Sequence, residues 1–526
     1  MSQRAAGNND VSQIIKDITI SPTRAKKFRA SVTNAETKTV KKLTPSQALS
    51  SFVDADLSQK QYEIIQGANK NIYPCYSLLK KAKSQCYPKE ESISITETNA
   101  EIKLQDLLDH TVSRLCTYLE EVLKNITKEE RRNLELITKW GCDGSQQTEY
   151  KQKFQNDTDN DAYIFQSSLV PIRLISNTNG HKKIIWQNPL SSSSRYCRPI
   201  RIRFVHETKD IINEEVEYIR KPNTKLNKTE VSQTPMEFSL YIKHILLPTM
   251  VDGKVCNAAT NTSFTMRCYI CGETSKNFNN LAKKKEENPE RFKFGLSILH
   301  MRIRVFEFLL HLSYKLPIKK WQARNDKDKK AISEKKRSIQ KSFKEEMGLL
   351  VDIPKAGFGN TNDGNMSQRF VAEPEVSARI TGLDVNLIRK FKVMLEAISS
   401  GFTIDVKKFS SYLTETAHLY VNLYDWHPMS PTIHKILIHG ATVIFHALVP
   451  IGQLSEEAAE ARNKHFRQYR QNFSRKFSRK ACNRDILNRL LMNSDPFITS
   501  SQSRFKKKSK PFSSETLVLF CPEELA

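Results

Sequence analysis

The hydrophobic positions of the chain follow two different periods, and this predicts a mixed α/β protein. Residues 99–125 carry apolar side chains at helical spacing, which indicates a long amphipathic helix. The segment L-E-L-I-T-K-W-G-C-D-G instead alternates with a period of two, which predicts a strand that ends at Asp143. A later apolar run ends at Asp252. Further strands are expected at 169–175, 182–187 and 199–205, and a helix through 213–219.

Three short helices are expected near the N-terminus. Thr44 and Ser58 are typical N-cap residues in front of the first two, and the third begins at Tyr76. Such a group is typical of a helix-turn-helix-like DNA-binding module, and equally of a small helical docking module. The first 41 residues are polar and basic without periodicity, so we expect them to be disordered.

The last third of the chain contains two helices with candidate chemistry. Ser430 and Pro431 mark the start of the first, which is apolar apart from its histidines. Ser455 caps the second, whose first turns are acidic and whose later turns are basic, the order that the helix dipole favours. Glu460 lies one turn into this helix, and cations follow on its face. Two interpretations fit: a solvated amphipathic helix, or a metal-holding carboxylate followed by a nucleic-acid contact.

The charge balance points toward a polyanionic partner. The 526 residues carry a formal net charge of +26, which suggests DNA or RNA, although a solvated basic surface has the same composition. The lysine-rich run at 504–510 is typical of a nuclear address or a nucleic-acid contact, and equally of a solvated segment. We expect the protein in the nucleus. No apolar stretch is long enough to span a bilayer, and the N-terminus is polar. The ten cysteines are scattered, as in a reducing compartment.

Acidic residues stand where several of these elements end or begin. Singly, an Asp before a Gly, such as Asp143 or Asp252, is most often a turn residue. As a set, a strand Asp, several strands, a second Asp and the distant helical Glu460 follow the order of an RNase H-like nuclease. Carboxylates of this kind hold two divalent cations, Mg²⁺ or Mn²⁺, for phosphoryl transfer. Glu207 follows the strand at 199–205.

Cys268 and Cys271 have the C-x-x-C spacing of a zinc knuckle. The sequence has no second C-x-x-C, so any further ligands must be distant. The apolar helix offers His434, His439 and His446. On a regular helix His434 and His439 point about 140° apart, whereas His439 and His446 share a face. The spacing therefore leaves the histidine pair open, and zinc held here would be structural.

Several of these segments resemble motifs of the Transib transposases and, more distantly, of the catalytic subunit of the vertebrate V(D)J recombinase. They are G-Q-L-S-E-E-A-A-E-A-R-N-K-H-F-R-Q-Y-R, C-D-G, T-M-V-D-G and S-P-T-I-H-K-I-L-I-H-G. The resemblance extends from about residue 43 to residue 494. It implies that Asp143, Asp252 and Glu460 are the catalytic carboxylates of a DDE recombinase, and that Glu207 is an additional acid of the active site.

The same resemblance implies further site residues. It selects His434 and His439, with Cys268 and Cys271, as ligands of a structural Zn²⁺. The loop G-F-G-N-T-N-D-G-N lies near DNA in that family. Its candidate contacts are Asn360, Asn362 and Asn365. The candidate phosphate contacts in and after the Glu460 helix are Lys464, Arg467, Arg470 and Arg475.

The activity that the resemblance implies is cut-and-paste transposition. Enzymes of this kind nick at terminal inverted repeats, form hairpins on the flanking DNA and join the excised ends to target DNA. The expected partners are double-stranded DNA and a second copy of the chain, with no membrane and no accessory subunit evident. One alternative is a domesticated DNA-binding protein without cleavage activity, and another is a basic RNA-binding or scaffold protein.

The expected architecture is a mixed α/β, RNase H-like DDE recombinase core that a helical zinc-binding insertion interrupts. An N-terminal helical DNA-binding and dimerisation region precedes it. The expected segments are a disordered basic tail (1–41), the helical dimerisation and DNA-binding region (42–90), a helical pre-core segment (91–132), the first part of the core (133–255), the insertion (256–450), the catalytic Glu helix that closes the core (451–480) and a C-terminal basic tail (481–526).

Overall fold

The computed structural model describes residues 7, 9–36, 41–146, 161–178, 180–232, 239–263, 266–283, 286–355, 359–502 and 511–522. The chain divides into two compact units, residues 1–85 and residues 86–526. The second unit combines helices with a sheet, so the predicted mixed α/β class is confirmed. The basic run at 504–510 and the first two positions, 357 and 358, of the loop G-F-G-N-T-N-D-G-N lie outside the described residues.

The first unit is built from short helices. Those described are α1 (Asn9–Thr19), α2 (Pro22–Glu36), α3 (Pro45–Asp54), α4 (Gln59–Ala68) and α5 (Tyr76–Ser84). The predicted caps are confirmed: Thr44 and Ser58 each accept from the backbone three residues on, and a glutamine side chain bonds back to each. Tyr62 is buried, and its hydroxyl donates to Pro74 O at 2.8 Å. α3 to α5 therefore share a small core of their own.

Two helices stand where we expected a disordered tail. α1 and α2 together cover most of residues 9–36. α1 places Val11, Ile14 and Ile15 at helical spacing, a local pattern that favours a helix although all three side chains stay exposed. The polar and basic composition around them concealed this pattern.

The second unit contains a mixed sheet with β3 at its centre. The strands are β1 (Ile93–Ile95), β2 (Asn99–Ile102), β3 (Leu134–Gln146), β4 (Tyr163–Thr178), β5 (His181–Gln187), β6 (Arg198–Arg203), β7 (Thr229–Val231) and β8 (Leu240–Leu247). Their order is β1-β2-β6-β4-β3-β8-β7, and β5 pairs with β4 outside this path. Among the described strands, only β3 and β8 pair in parallel. The predicted strand is confirmed, although it runs past Asp143 to Gln146.

Helices build the rest of the second unit. Next to and between the strands lie α6 (Leu104–Tyr118), α7 (Glu120–Lys124), α8 (Lys128–Arg132), α9 (Lys209–Asn223) and α10 (Gly253–Ala259). A mainly helical region follows, with α11 (Ile298–Lys315), α12 (Asp326–Met347), α13 (Gly364–Ala372), α14 (Pro374–Thr381), α15 (Val385–Ser399), α16 (Val406–Tyr424), α17 (Pro431–His434), a π-helix (Lys435–His439) and α18 (Gly440–Phe445). The chain ends with α19 (Glu457–Asn472), α20 (Arg479–Asn493), α21 (Pro496–Ser500) and α22 (Ser514–Val518).

Short 3₁₀ turns complete the secondary structure. They lie at Glu90–Ser92, Ser194–Tyr196, Ser275–Asn277, Pro289–Phe294 and Ile451–Leu454. Of the helices that the structure describes, none is both long and apolar enough to cross a bilayer.

The predicted helix at 99–125 begins later than expected. Residues 99–102 form β2, which pairs with β1 and β6, and α6 starts only at Leu104. Ala100 and Ile102 are buried while their neighbours are half-buried, an alternation that also satisfies part of a helical period. Apolar patterns this short do not distinguish a strand from a helix turn.

The C-terminal region is packed where we expected a basic tail from residue 481. Apolar residues of α20 repeat at helical spacing, and Ile486 and Leu487 are buried. After α20, Asp495 accepts two hydrogen bonds from the guanidinium of Arg114 on α6, at 2.8 and 3.1 Å. This ion pair is buried and joins positions 381 residues apart, so the basic composition of the segment did not reveal it.

At Gly141 the backbone of Met250 comes close to the backbone of β3. A Cβ atom there would lie 1.7 Å from Met250 O, in the chain that follows β8. Met250 N also donates to Trp140 O at 3.1 Å. The absence of a side chain at Gly141 therefore lets the two backbones touch.

We predict that Gly141→Ala lowers the free energy of unfolding by about 2 kcal/mol, because the added methyl group would overlap the Met250 backbone and force the segments apart. Thermal unfolding followed by circular dichroism measures the change as a lower midpoint. Gly401→Ala is the matched control, since a Cβ atom at Gly401 would meet nothing within 4 Å. Equal midpoints for the two variants would contradict this packing.

Candidate functional site

β3 and β8 carry the two candidate aspartates to the same place. Because these strands run parallel, the chain beyond β8 stays next to the end of β3. The hydrogen bond from Met250 N to Trp140 O continues this pairing, and Asp252 follows two residues later. Asp252 Oδ1 accepts from Val255 N at 2.8 Å, so the aspartate is the N-cap of α10.

α19 brings Glu460 to this end of β3. Asn463, one turn after Glu460, donates from Nδ2 to Asp143 Oδ2 at 2.5 Å. Asn463 Oδ1 in turn accepts from Gln166 Nε2 on β4, and Gln166 lies opposite Asp143 in the sheet. The helix is therefore fastened to two strands at the position of the first aspartate.

Glu207 reaches the same region from the segment between β6 and α9. Its side chain lies against Gly144, where an added Cβ atom would be 2.7 Å from Glu207 Cβ. Lys254 on α10 forms an ion pair with Glu207 Oε2 at 2.9 Å. The structure thus brings together all four acids that the sequence singled out.

Charge repulsion within this carboxylate cluster acts on Asp143. Burial, together with the negative charges of Glu460, Asp252 and Glu207, raises the pKa of Asp143 well above its ordinary value. A bound cation would relieve this repulsion. Hard divalent ions prefer carboxylate oxygens, so the donor set fits Mg²⁺ or Mn²⁺.

His300 on α11 is a neighbour of the cluster that sequence interpretation missed. Glu456 Oε1 accepts from His300 N and lies 2.9 Å from its Nδ1, which leaves Nε2 3.6 Å from Glu460 Oε1. Burial disfavours the charged ring, but the carboxylates of Glu456, Asp252 and Glu460 outweigh it and raise the pKa of His300 to about 9. A single histidine in an apolar helix does not indicate a functional site in the sequence. The partner that reveals its role, Glu456, lies 156 residues away.

A cleft of about 1020 Å³ opens beside the carboxylate cluster. Asp252 and His300 line it, together with residues of the helical region such as Phe308 and Trp321. The cleft is as large as the larger ligand pockets of proteins, so Asp252 faces a space that can receive a sizeable group.

The two cysteines and the two expected histidines also come together. The candidate ligand atoms of Cys268, Cys271, His434 and His439 all lie within 4.8 Å of one another. Cys271 Sγ, for example, is 3.4 Å from His434 Nε2. This Cys/His cluster can therefore hold a metal ion such as Zn²⁺.

The π-helix explains how this histidine pair can face one metal. At Lys435–His439 the backbone bonds join residues five apart instead of four, so positions five apart lie on one face. The rings of His434 and His439 are accordingly 5.1 Å apart between their centroids. His446 is exposed, stacks on Phe292 and lies outside the cluster, so the alternative pair is wrong.

Neighbouring groups favour metal binding at the Cys/His cluster. His439 Nδ1 lies 2.5 Å from Glu287 Oε1, which leaves the buried Nε2 to act as a ligand. The hydrogen bond with Cys271 lowers the pKa of the Cys268 thiol to about 7, toward the thiolate that binds metals. Two sulfurs and two imidazole nitrogens in a mostly buried setting fit a structural Zn²⁺.

Three of the four cations predicted to contact phosphate are exposed. Lys464 and Arg467 lie on the open side of α19, where Arg467 also donates to Gln146 O at 3.0 Å. Arg475 pairs with Asp485 at 2.9 Å, and 57% of its side chain remains exposed. These three cations are placed where a polyanion could reach them.

Arg470 corrects the predicted set of phosphate contacts. It is buried, and its guanidinium pairs with the carboxylate of Asp161. Arg479 binds the same carboxylate at 3.0 Å. Because a buried guanidinium needs its counter-ion, Arg470 holds α19 to the chain before β4 and is not open to a phosphate.

Two of the three asparagines of the predicted DNA loop turn inward, which is a second correction. Asn360 Nδ2 donates to Asp352 Oδ1 at 3.2 Å and to Glu307 Oε1 at 3.4 Å. Asn362 Oδ1 accepts from Asp352 N at 2.8 Å. Both side chains thus organise the loop beside carboxylates, which repel phosphate. Asn365 is exposed on the first turn of α13 and keeps its predicted role as a candidate contact.

Comparison with protein-family models finds no match, and comparison with curated proteins finds none either. Among solved structures, the chain is similar to the Drosophila P element transposase strand transfer complex, at 10% sequence identity. That alignment covers 90% of this chain and 100% of the other, with a TM-score of 0.29. A TM-score of this size does not establish a shared fold.

We predict that the purified protein contains about one zinc ion per chain, that His439→Ala loses it and that His446→Ala retains it. The reason is that His439 belongs to the Cys/His cluster whereas His446 lies outside it. Metal analysis by mass spectrometry measures the content. The midpoint of thermal unfolding should fall with the zinc, because binding energy of a structural metal is also folding energy. Full zinc content in His439→Ala would contradict the assignment.

We predict that Asp143→Asn stabilises the Mg²⁺-free protein, because it removes a charge that burial and the neighbouring acids both disfavour. The pKa of Asp143 is raised in the folded state, so the free energy of unfolding falls as the pH rises from the unfolded pKa, about 4, toward the folded pKa. The gain in thermal midpoint should therefore be larger at about pH 8 than at about pH 5. Asp326→Asn, whose side chain is 98% exposed, is the control and should change nothing. Equal midpoints of the wild type and Asp143→Asn would contradict the conclusion that the charge on Asp143 destabilises the folded protein.

Proposed function

We propose that this chain is a DDE-type DNA transposase that cuts and joins DNA by metal-dependent phosphoryl transfer. The observation that carries the proposal is the convergence of Asp143, Asp252 and Glu460, with Glu207 beside them, at the end of β3. Mutually repelling acids beside a cleft are typical of a catalytic metal site. The segments that contain them resemble the motifs of Transib transposases.

The order of the strands supports an RNase H-like core. β3, β4 and β6 are successive antiparallel neighbours, and β8 joins β3 in parallel on its other side. The first acid then lies on the central strand and the second follows the parallel strand. A distant helix supplies the third acid, as expected for nucleases of this kind.

The carboxylates of Asp143, Asp252 and Glu460 would hold the metal ions, and the 2.5 Å hydrogen bond from Asn463 keeps Asp143 oriented. Mg²⁺ or Mn²⁺, two per site, would help to activate the attacking oxygen and to stabilise the leaving one. His300 carries its Nε2 proton toward the acids and the cleft, where it can donate to a phosphate oxygen. No side chain needs to act as a nucleophile, because water and then a DNA 3′-hydroxyl supply the attacking oxygen.

Positive charge near the acids supports DNA as the substrate. The formal net charge of the chain is +26. Lys464 and Arg467 follow Glu460 on the exposed side of its helix, and Lys209 and Lys254 line the cleft. Electrostatic attraction to phosphates is independent of base sequence, so these cations would hold the backbone while other contacts select the site.

The Cys/His cluster supports a structural role for zinc in the helical region. Between Asp252 and Glu460 the chain leaves the sheet and forms α11 to α18. Cys271, near the start of this insertion, meets His434 near its end, 163 residues later. Zn²⁺ held by these ligands would fix the two ends of the insertion to each other, so that the chain returns to the carboxylate cluster.

The proposed activity comprises nicking at terminal inverted repeats, hairpin formation on the flanking DNA and joining of the excised ends to a target. Since two element ends are joined, the active form would be a homodimer, which would act in the nucleus. A domesticated DNA-binding protein without cleavage remains the alternative. The four clustered acids favour the enzyme, because DNA binding alone would gain nothing from negative charge beside the phosphates.

A DNA cleavage assay distinguishes the transposase from a DNA-binding protein without cleavage activity. We predict that the wild type nicks a duplex that carries the inverted repeats flanking its coding region, with Mg²⁺ or Mn²⁺, and that Asp252→Ala loses roughly a thousandfold in rate without losing DNA binding. Asp384→Ala is the matched control, because Asp384 is also an N-cap aspartate, accepting from Leu387 N at 2.8 Å, but lies outside the cluster. Full activity of Asp252→Ala would end the assignment, and binding without nicking by the wild type would favour the alternative.

A further inference from the structure

Lys139 lies on β3 four residues before Asp143, and its side chain is completely buried. Its Nζ donates to Gln453 O at 2.9 Å and to Ser455 O at 2.6 Å. Both carbonyl groups belong to the segment that enters α19, the helix of Glu460. One lysine therefore joins the strand of the first acid to the chain that presents the third.

The helical region holds the other side of this segment. A Cβ atom at Gly452 would lie 1.6 Å from Ser400 O, so the two backbones touch there. Gln453 Nε2 also donates to Gly401 O at 3.3 Å. The segment is thus held between Lys139 and the chain that follows α15.

The first turn of α19 has further anchors on α11. Glu456 is buried and accepts from His300 N at 2.9 Å, and Glu457 Oε1 pairs with Arg302 Nη1 at 3.3 Å. These bonds orient α19 relative to the helical insertion. The bonds of Lys139 instead orient it relative to β3 and the sheet.

We infer that Lys139 is a positioning residue: its two hydrogen bonds set the place of Glu460 relative to Asp143, and with it the affinity of the carboxylate cluster for divalent metal. The inference rests on the proposed function, because that function assigns metal to these acids. Beyond that function, a side chain that lies away from the acids helps to determine how tightly they bind metal.

A merely structural role would not need an amine at this position. Burial lowers the pKa of Lys139 to about 7 against the opposing influence of Cys197, Glu456 and Glu457, so holding a charged amine here is unfavourable. A methionine of similar length would fill the space without that cost. The methionine would lack the two hydrogen bonds to Gln453 O and Ser455 O. The loss of these bonds should therefore be felt at the metal site.

Mn²⁺ binding tests the inference without requiring cleavage. Isothermal titration calorimetry compares the full-length wild type, Lys139→Met and Asp143→Ala, each with its zinc retained. We expect Lys139→Met to weaken Mn²⁺ binding about tenfold, the lower end of the loss that follows when a residue that orients metal ligands is replaced. The Mg²⁺ concentration that gives half-maximal nicking should rise in parallel.

Lys243→Met is the matched control. Lys243 lies on the neighbouring β8, is mostly exposed and pairs with Glu135 at 3.5 Å, so its loss should leave Mn²⁺ binding unchanged. A Lys139→Met protein that unfolds at lower temperature yet binds Mn²⁺ like the wild type would overturn the inference. Equal Mn²⁺ binding by the wild type and Asp143→Ala would instead refute the proposed function, and the inference with it.

Lys139→Gln carries the same test if Lys139→Met does not fold. Its amide keeps N–H donors inside the core, but on a shorter side chain that cannot reach both carbonyl groups equally well. We expect this variant to weaken Mn²⁺ binding in the same direction and by less. Wild-type affinity in Lys139→Gln would overturn the inference.

Discussion

One face of β3 holds the candidate site together. Successive positions of a strand alternate between its two faces, so Lys139, Gly141 and Asp143 lie on the same face of β3. Lys139 binds the chain that enters α19, Gly141 admits the backbone that leads to Asp252, and Asp143 is the acid that the others approach. The places of Asp252 and Glu460 therefore depend on three alternate positions of a single strand.

The carboxylate cluster is unfavourable for the folded chain, and its surroundings offset only part of the cost. Asp143 accepts from Asn463, and Glu207 pairs with Lys254 at 2.9 Å. These contacts satisfy individual oxygens, but burial and the repulsion among the acids still raise the pKa of Asp143. A folded protein that keeps such a cluster beside a cleft is less stable than it could be, which is typical of sites that gain a ligand.

Features set by neighbouring residues could be predicted from the sequence, and features set by distant partners could not. The cap at Thr44 and the strand that ends in C-D-G depend on a few adjacent residues, and the order of the acids is carried by motifs. Arg470, by contrast, has the same helical context whether it binds phosphate or the carboxylate of Asp161, 309 residues away. The bond from Lys139 to Gln453 spans 314 residues and likewise leaves no local pattern.

The histidine pair shows how a local distortion can serve a distant site. With regular α-helical geometry His434 and His439 would diverge, and His446 would share a face with His439. The π-helix at Lys435–His439 turns the first pair toward the cysteines instead. π-helices are rare, occur as short interruptions and are frequent at functional sites. The chain leaves it through α18 and reaches the segment that Lys139 holds. A metal in the Cys/His cluster would therefore fix the register in which that segment enters α19.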